Sequence, residues 1–309
     1  MIPSSRPTSP ASSVAAGGAY ARERDEIARL AAQNAQAPSA ATERALVDRR
    51  IAAFDRIHWP APLETPPAAP APVPDGELAD IHVRDLTPAA LRAAVESGGG
   101  LIVREFMSSE HATAMRASID RALAARREAA SGDGSSEGRW FARSPLVKGG
   151  PQQFWAANQA QRQGDVGSIW AVDSPATAQA MASFYVASGL AAMLAECFGE
   201  PAVLSVKKWV LRKVLPKPEG GSGWHQDGRF LGDGIRTINL WLSLSDCGGE
   251  RAAPGLEIVA DHRKRIHETG TRGAMFDWVV GPELVAELAP ERPVLTPAFA
   301  PGDALFFDQ

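Results

Sequence analysis

The residues best suited to chemistry are Trp224-His225-Gln226-Asp227, which follow a Gly-rich turn at Glu219 to Gly223. In extended backbone, residues i and i+2 project to the same side, so the His225 imidazole and the Asp227 carboxylate can face one point. An imidazole nitrogen and a carboxylate oxygen are two of the three donors in the 2-His-1-carboxylate triad that holds non-haem Fe(II) with one face open. Zinc fits less well, because hydrolytic zinc sites more often begin from helical pairs of histidines. The plain alternative is a polar loop at a strand end, with Asp227 capping a turn. His262 and His267 are the downstream histidines, and linear spacing permits either as a third ligand. Both also read as exposed loop histidines, since Arg263, Lys264 and Arg265 lie between them. His58, His82 and His111 precede the strand-rich part and read as surface or helix-end residues.

The elements that must position these side chains come from 309 residues, enough for one large domain or two small ones. Hydrophobic residues make up 45% and charged residues 22%, as in an ordinary globular protein. A net charge of -4 argues against a general polyanion binder, so no nucleic-acid partner is expected. The two cysteines, Cys197 and Cys247, cannot build a disulfide scaffold or a Cys-type zinc site. No apolar run is long enough to span a bilayer, and the start lacks the order of a secretory signal. A cytoplasmic protein with a small-molecule substrate and no membrane partner is the default expectation.

Residues 1–18 are rich in Ser, Pro, Ala and Gly and read as disordered. Residues 19–59 read as a helical extension, with helices at Tyr20 to Gln33 and Thr42 to Ile57 that pack on the main body or on a partner. Residues 60–79 read as a Pro-rich linker. The main domain, 80–309, opens with a strand at Gly100 to Glu105 and a helix at Glu110 to Ala130. Arg139 to Gly167 reads as loops, and Ser174 to Phe198 as helix. Strand patterns follow at Val203 to Leu215, Thr237 to Leu244, Leu256 to Val259, Val294 to Phe299 and Ala304 to Phe307. Short strands with Gly/Pro turns after a helical part indicate a β-sandwich or barrel.

Four segments in order from Trp224 onward, with a fifth nearer the N-terminus, resemble the phytanoyl-CoA dioxygenase family of Fe(II)/2-oxoglutarate-dependent oxygenases. WHQDG is close to the family's metal-binding segment, and INLWLSLSD to the next core strand. GLEIVADHRK resembles its G-x-L-x-x-x-P-G-S-H-[KR] segment, with Val-Ala-Asp at 259–261 in place of Pro-Gly-Ser. FAPGDALFFDQ resembles its G-D-x-x-x-F strand, and GLIVREFMSSEHATAMRASID its N-terminal strand and helix. The resemblance spans about Ile81 to Gln309. It implies an α+β, mainly β fold, a double-stranded β-helix (a cupin-like jelly roll) with flanking helices. It implies Fe(II) on His225 and Asp227, and 2-oxoglutarate against Trp241, with Trp209 and Gln226 as further cosubstrate contacts. The match of DHRK to S-H-[KR] puts His262 outside the metal shell. In the family a second histidine follows the G-D-x-x-x-F strand, and an arginine for 2-oxoglutarate comes later still. The sequence stops at Gln309 before either, so the resemblance implies C-terminal truncation with the last core strands missing.

The activity this implies is hydroxylation of an unactivated C–H bond in a lipid, amino acid or secondary metabolite, coupled to conversion of 2-oxoglutarate to succinate and CO₂. Related halogenases carry a small residue where Asp227 stands, so the carboxylate favours hydroxylation. The competing expectation is a non-catalytic β-barrel binding module, on the ground of the missing ligand and arginine. A zinc hydrolase would need a general base near the metal, and none is identifiable. Arg212, Lys213 and Lys217 suit either an anionic substrate or a solvated strand edge, and Arg229 and Arg236 flank the metal segment. Gln152, Gln153, Trp155 and Asn158 form a polar-aromatic loop that can line a substrate mouth. Trp140, Trp170 and Trp278 read as core or rim packing. Cys247 sits in a Gly-rich turn with nothing beside it to make it a nucleophile.

Overall fold

The computed structural model describes residues 13–56, 76–131, 138–146, 167–214, 223–231, 236–260 and 265–308. Its central ladder has four strands. β1 (Ala79–His82) runs parallel to β2 (Gly100–Arg104), with Ala79 opposite Leu101. The crossover between them carries α3 (Pro88–Gly98). Thr87 caps that helix by accepting from the Ala90 N–H at 3.1 Å, Pro88 occupies its first turn, and Gly99 ends it in the left-handed region at φ 78°. β8 (Ala304–Phe307) pairs antiparallel with β2 on one side and with β5 (Asn239–Leu242) on the other, giving the order β1-β2-β8-β5.

The two-residue period of these strands sorts their side chains. Leu101, Val103, Ala304 and Phe306 form one core, with Leu240 and Leu242 packed on it. Opposite them lie Leu91 and Val95 of α3 and Leu190 and Cys197 of α6 (Leu190–Phe198). Ile102 and Leu305 point the other way, onto Phe299, Cys247 and the Trp241 ring. Two further ladders have two strands each: β3 (Gly167–Trp170) with β4 (Val210–Lys213), and β6 (Ile258–Val259) with β7 (Val294–Leu295). The sandwich-or-barrel expectation is thus met by mixed helix and sheet. Among the described residues the strands form three separate ladders, with no closed roll, and the first pair is parallel.

The N-terminal extension belongs to the body. α1 (Ser13–Gln36) packs on α2 (Ala40–Asp55), and it begins inside the stretch read as disordered. Val47 and Ile51 of α2 are buried with Ile119 and Leu123 of α4 (Ser109–Ser131), with Ile169 and with Leu211. Glu43, itself buried, pairs with Arg139 at 2.6 Å, and the Arg44 guanidinium donates to the Val172 carbonyl at 2.9 Å. Asp55 at the end of α2 pairs with Lys207. α5 (Pro175–Ala187) also packs on α2 and bends by 66° into α6 at Gly189. Among the described residues no single helix is long and apolar enough to cross a membrane.

Several elements differ from the sequence reading. β1, α3, β3 and a short helix, Pro282–Leu288, stand where no element or a loop is expected. The Val203 to Leu215 run is a 3-10 turn at Val206–Lys208 followed by the shorter β4. Of the Pro-rich linker expected at 60–79, residues 60–75 lie outside the described residues, and Ala79 already belongs to β1.

One network, centred on the buried Asp303, holds the sheet's rim. The Asp303 carboxylate accepts from the Arg104 guanidinium at 2.7 Å and from the N–H groups of Glu105 (3.0 Å) and Ala300 (2.9 Å). Arg104 also pairs with Asp80 at 2.6 Å and donates to the Ala298 carbonyl. Gly302 precedes Asp303 at φ 98°, and a methyl there would fall 1.9 Å from the Met107 carbonyl oxygen. Gly302→Ala should therefore cost on the order of 3 kcal/mol, read as a lower urea midpoint. Burial alone would raise the Asp303 pKa, but the hydrogen bonds from Ala300, Arg104 and Glu105 outweigh it and hold the carboxyl below its usual range. Its contribution to stability is present above the ordinary carboxylate pKa and is lost as pH falls through the lowered folded value. Asp303→Asn should be less stable than wild type at pH 7, with the gap closing in acid; a gap that does not depend on pH would refute this.

Candidate metal centre

The His225 turn is fixed on both sides. Gly223 enters it at φ 76°, where a Cβ would meet Val279 at 3.0 Å. The Val280 N–H then donates to the Trp224 carbonyl at 2.7 Å. A short helix, α7 (Gly228–Leu231), starts directly after Asp227. His225 Nδ1 lies 3.0 Å from the Gly223 carbonyl oxygen. A carbonyl only accepts, so this bond places the proton on Nδ1 and leaves the Nε2 lone pair for an ion. Nε2 faces Asp227 Oδ1 at 3.7 Å, with the two side chains 33% and 34% exposed. One ion can bridge donors at that separation at ordinary nitrogen and oxygen ligand distances of about 2.0–2.2 Å. The Trp278 ring, expected only to pack, stands edge-on to His225 with centroids 5.9 Å apart and stacks on Phe276.

The chemistry of this donor set fits Fe(II) with two of its three protein ligands. Among the described residues no cluster of three His, Cys, Asp or Glu forms, so His267 does not complete the set. His262 lies outside the described residues.

Gln226, expected beside the cosubstrate, is committed elsewhere. Its Nε2 donates to the Arg265 carbonyl at 2.9 Å, and its Oε1 accepts from the His267 N–H at 2.7 Å. Both ends of the amide therefore clamp the 265–267 segment to the metal turn. Sequence reasoning missed this because it is a contact across about forty residues.

Trp209 also departs from expectation. Its ring packs 5.7 Å from Tyr185 and lies beside Val47 and Arg50 of α2, within the helical core. Leu211 points the same way, and Lys213 pairs with Asp120 of α4 at 2.6 Å. The alternate residues look the other way. The Asp227 carboxylate acts electrostatically on both Lys208 and Arg212. Loss of surrounding water lowers both of their pKa values, and Asp227 pushes them back up. Both residues are nonetheless exposed. A one-residue shift in the reading of a strand exchanges its two faces, so the sequence pointed to Trp209 where the structure presents its neighbours.

Trp241 lies on the sheet face turned away from the helices, its ring 4.7 Å from Phe299. Arg236 pairs with Glu200 and lies over Phe198, which makes it part of the scaffold. Arg229 sits exposed in α7. Trp140 is flanked by the guanidinium groups of Arg121 and Arg139, and Trp170 packs on the core. Cys247 is buried, with its sulfur 3.3 Å from the Ser243 hydroxyl. Lys217 and the Gln152–Asn158 loop lie outside the described residues.

A family model described as phytanoyl-CoA dioxygenase (PhyH) matches residues 95–309, which include β2, the His225–Asp227 turn and β8. No curated protein and no solved structure matched the chain.

The Gln226 clamp makes a direct prediction. Gln226→Ala should leave the global fold intact and raise amide hydrogen exchange at His267 by about tenfold, the equivalent of one net hydrogen bond. Unchanged exchange would show that the clamp does not hold the segment.

Proposed function

The chain belongs to the phytanoyl-CoA dioxygenase family, and from that premise we propose an Fe(II)- and 2-oxoglutarate-dependent dioxygenase that hydroxylates an unactivated C–H bond of a small molecule. The observation that supports this most is the convergence of His225 Nε2 and Asp227 Oδ1 at 3.7 Å, with the imidazole tautomer set by Gly223. His225 and Asp227 would hold the iron. With 2-oxoglutarate and O₂, the bound metal supplies the oxidation that places a hydroxyl on carbon.

The chain's own part is positional. Gly223 keeps the His225 proton on Nδ1. Trp278 stands edge-on to the imidazole and helps set its orientation. The Gln226 clamp fixes the segment beside the turn. We assign Trp241, packed beside Phe299 on the second face of the central sheet, to the cosubstrate within a cupin-like double-stranded β-helix, which is the architecture we propose for the domain.

Anaerobic addition of Fe(II) and 2-oxoglutarate should give a weak visible charge-transfer band. His225→Ala and Asp227→Ala should lose it, with Fe(II) affinity falling by about tenfold or more and circular dichroism unchanged. Succinate release should require both Fe(II) and O₂. No band in the wild-type protein would favour a binding module without redox chemistry, and a band that survives both substitutions would move the metal elsewhere.

A further inference from the structure

One stretch of chain, 265–280, holds four successive residues of the metal turn. Gly223 lies so near Val279 that a Cβ on it would fall 3.0 Å from that side chain. The Trp224 carbonyl accepts from the Val280 N–H at 2.7 Å. The His225 ring stands at 71° to the Trp278 ring, with centroids 5.9 Å apart. Gln226 spans Arg265 and His267 through both ends of its amide, at 2.9 and 2.7 Å. Backbone, imidazole and side-chain amide of the turn are thus all fastened to a single loop.

The loop is itself a closed body. The Gly270 N–H donates to the Val279 carbonyl at 2.9 Å, which draws 271–278 into a tip. Within the tip, the Ala274 N–H donates to the Thr271 carbonyl at 3.0 Å. Phe276 stacks on Trp278, and Met275 beside it is 77% exposed. Arg272 pairs with Glu268 at 2.9 Å and with Glu287, which ties the far side of the loop to the short helix Pro282–Leu288. The metal turn is the support on the near side. An ion shared by His225 and Asp227 would remove the rotamer freedom of both side chains and fix the backbone between them. Groups bonded to that backbone lose motion with it. Thermodynamic linkage makes the effect mutual: a loop ordered by the ion must also raise the ion's affinity.

We propose that the 265–280 loop is a metal-responsive element of the candidate site. An ion on His225 and Asp227 orders the loop, and the loop sets the affinity for that ion, with Gln226 and Trp278 as positioning residues. The coupling rests on the reading of His225 and Asp227 as the metal site. Its consequence is that the apolar tip at Met275 and Phe276 is steadied only when the ion is present, so order at the tip follows occupancy of the site.

Mn(II) alone is the probe, added to the full chain without 2-oxoglutarate. It accepts nitrogen and oxygen donors, and the resonance of the free ion reports its binding directly. Amide exchange is read by mass spectrometry at His267, Gly270 and Val280, the loop N–H groups that donate to the turn or close the neck. Saturating Mn(II) should slow exchange at these amides by about fivefold or more. Trp278→Leu should weaken Mn(II) binding by about fivefold or more and remove most of that slowing, with circular dichroism unchanged. Trp278→Phe, which keeps a ring beside His225, should restore both. Mn(II) bound in a manner lost on His225→Ala, but with loop exchange unchanged, would overturn the coupling and leave the metal assignment standing. So would a Trp278→Leu variant whose loop exchanges faster while its Mn(II) affinity stays that of wild type, the result of a purely structural role. Mn(II) binding that is absent, or indifferent to His225→Ala, would refute the metal assignment and the coupling with it.

Discussion

Extended backbone sends alternate side chains to opposite sides, and the candidate site depends on that constraint twice. At 225 and 227 it brings an imidazole and a carboxylate to one point, with Gln226 directed away to the 265–267 segment. At 209–213 it divides a mixed run into a core face, with Trp209 and Leu211, and an exposed face, with Val210 and Arg212. A site with both chemistries on one side would bury cations in the helical core or expose a tryptophan to the metal. The alternation prevents both outcomes with no special residue.

The helices make this arrangement firm. α2 lies before the family-matched region, yet it supplies Val47 and Ile51 to the core that backs β4. Its Asp55 pairs with Lys207 in the turn that leads into β4. Arg50, desolvated until its pKa is pulled down to about 10, donates to Gln179 of α5 at 2.7 Å. β4 thus sits on packing contributed by a segment that carries none of the chemistry. At the opposite side of the sheet, Arg104 and Asp303 tie β1, β2 and the turn before β8 into one charged network.

Local sequence determined the parts governed by local physics. The apolar run of β2, the capped α4, the β8 strand and the His225-x-Asp227 spacing were all legible, because periodicity, capping and extended geometry act over a few residues. The family resemblance was legible as well, since it rests on short ordered segments. Tertiary structure decided what depends on distant partners. β1 escaped notice because it has no strong periodic pattern and is defined by its parallel pairing with β2; α3 did carry local signals, the Thr87 cap, Pro88 in its first turn and Gly99 at its end, through which it was legible. The exposed face of β4 was settled by which side packs on α2 and α4, and a sequence with bulky or charged residues on both sides does not announce that choice. Gln226 and Trp278 gained their places through segments forty to fifty residues away, and spacing along the chain carries no record of such contacts.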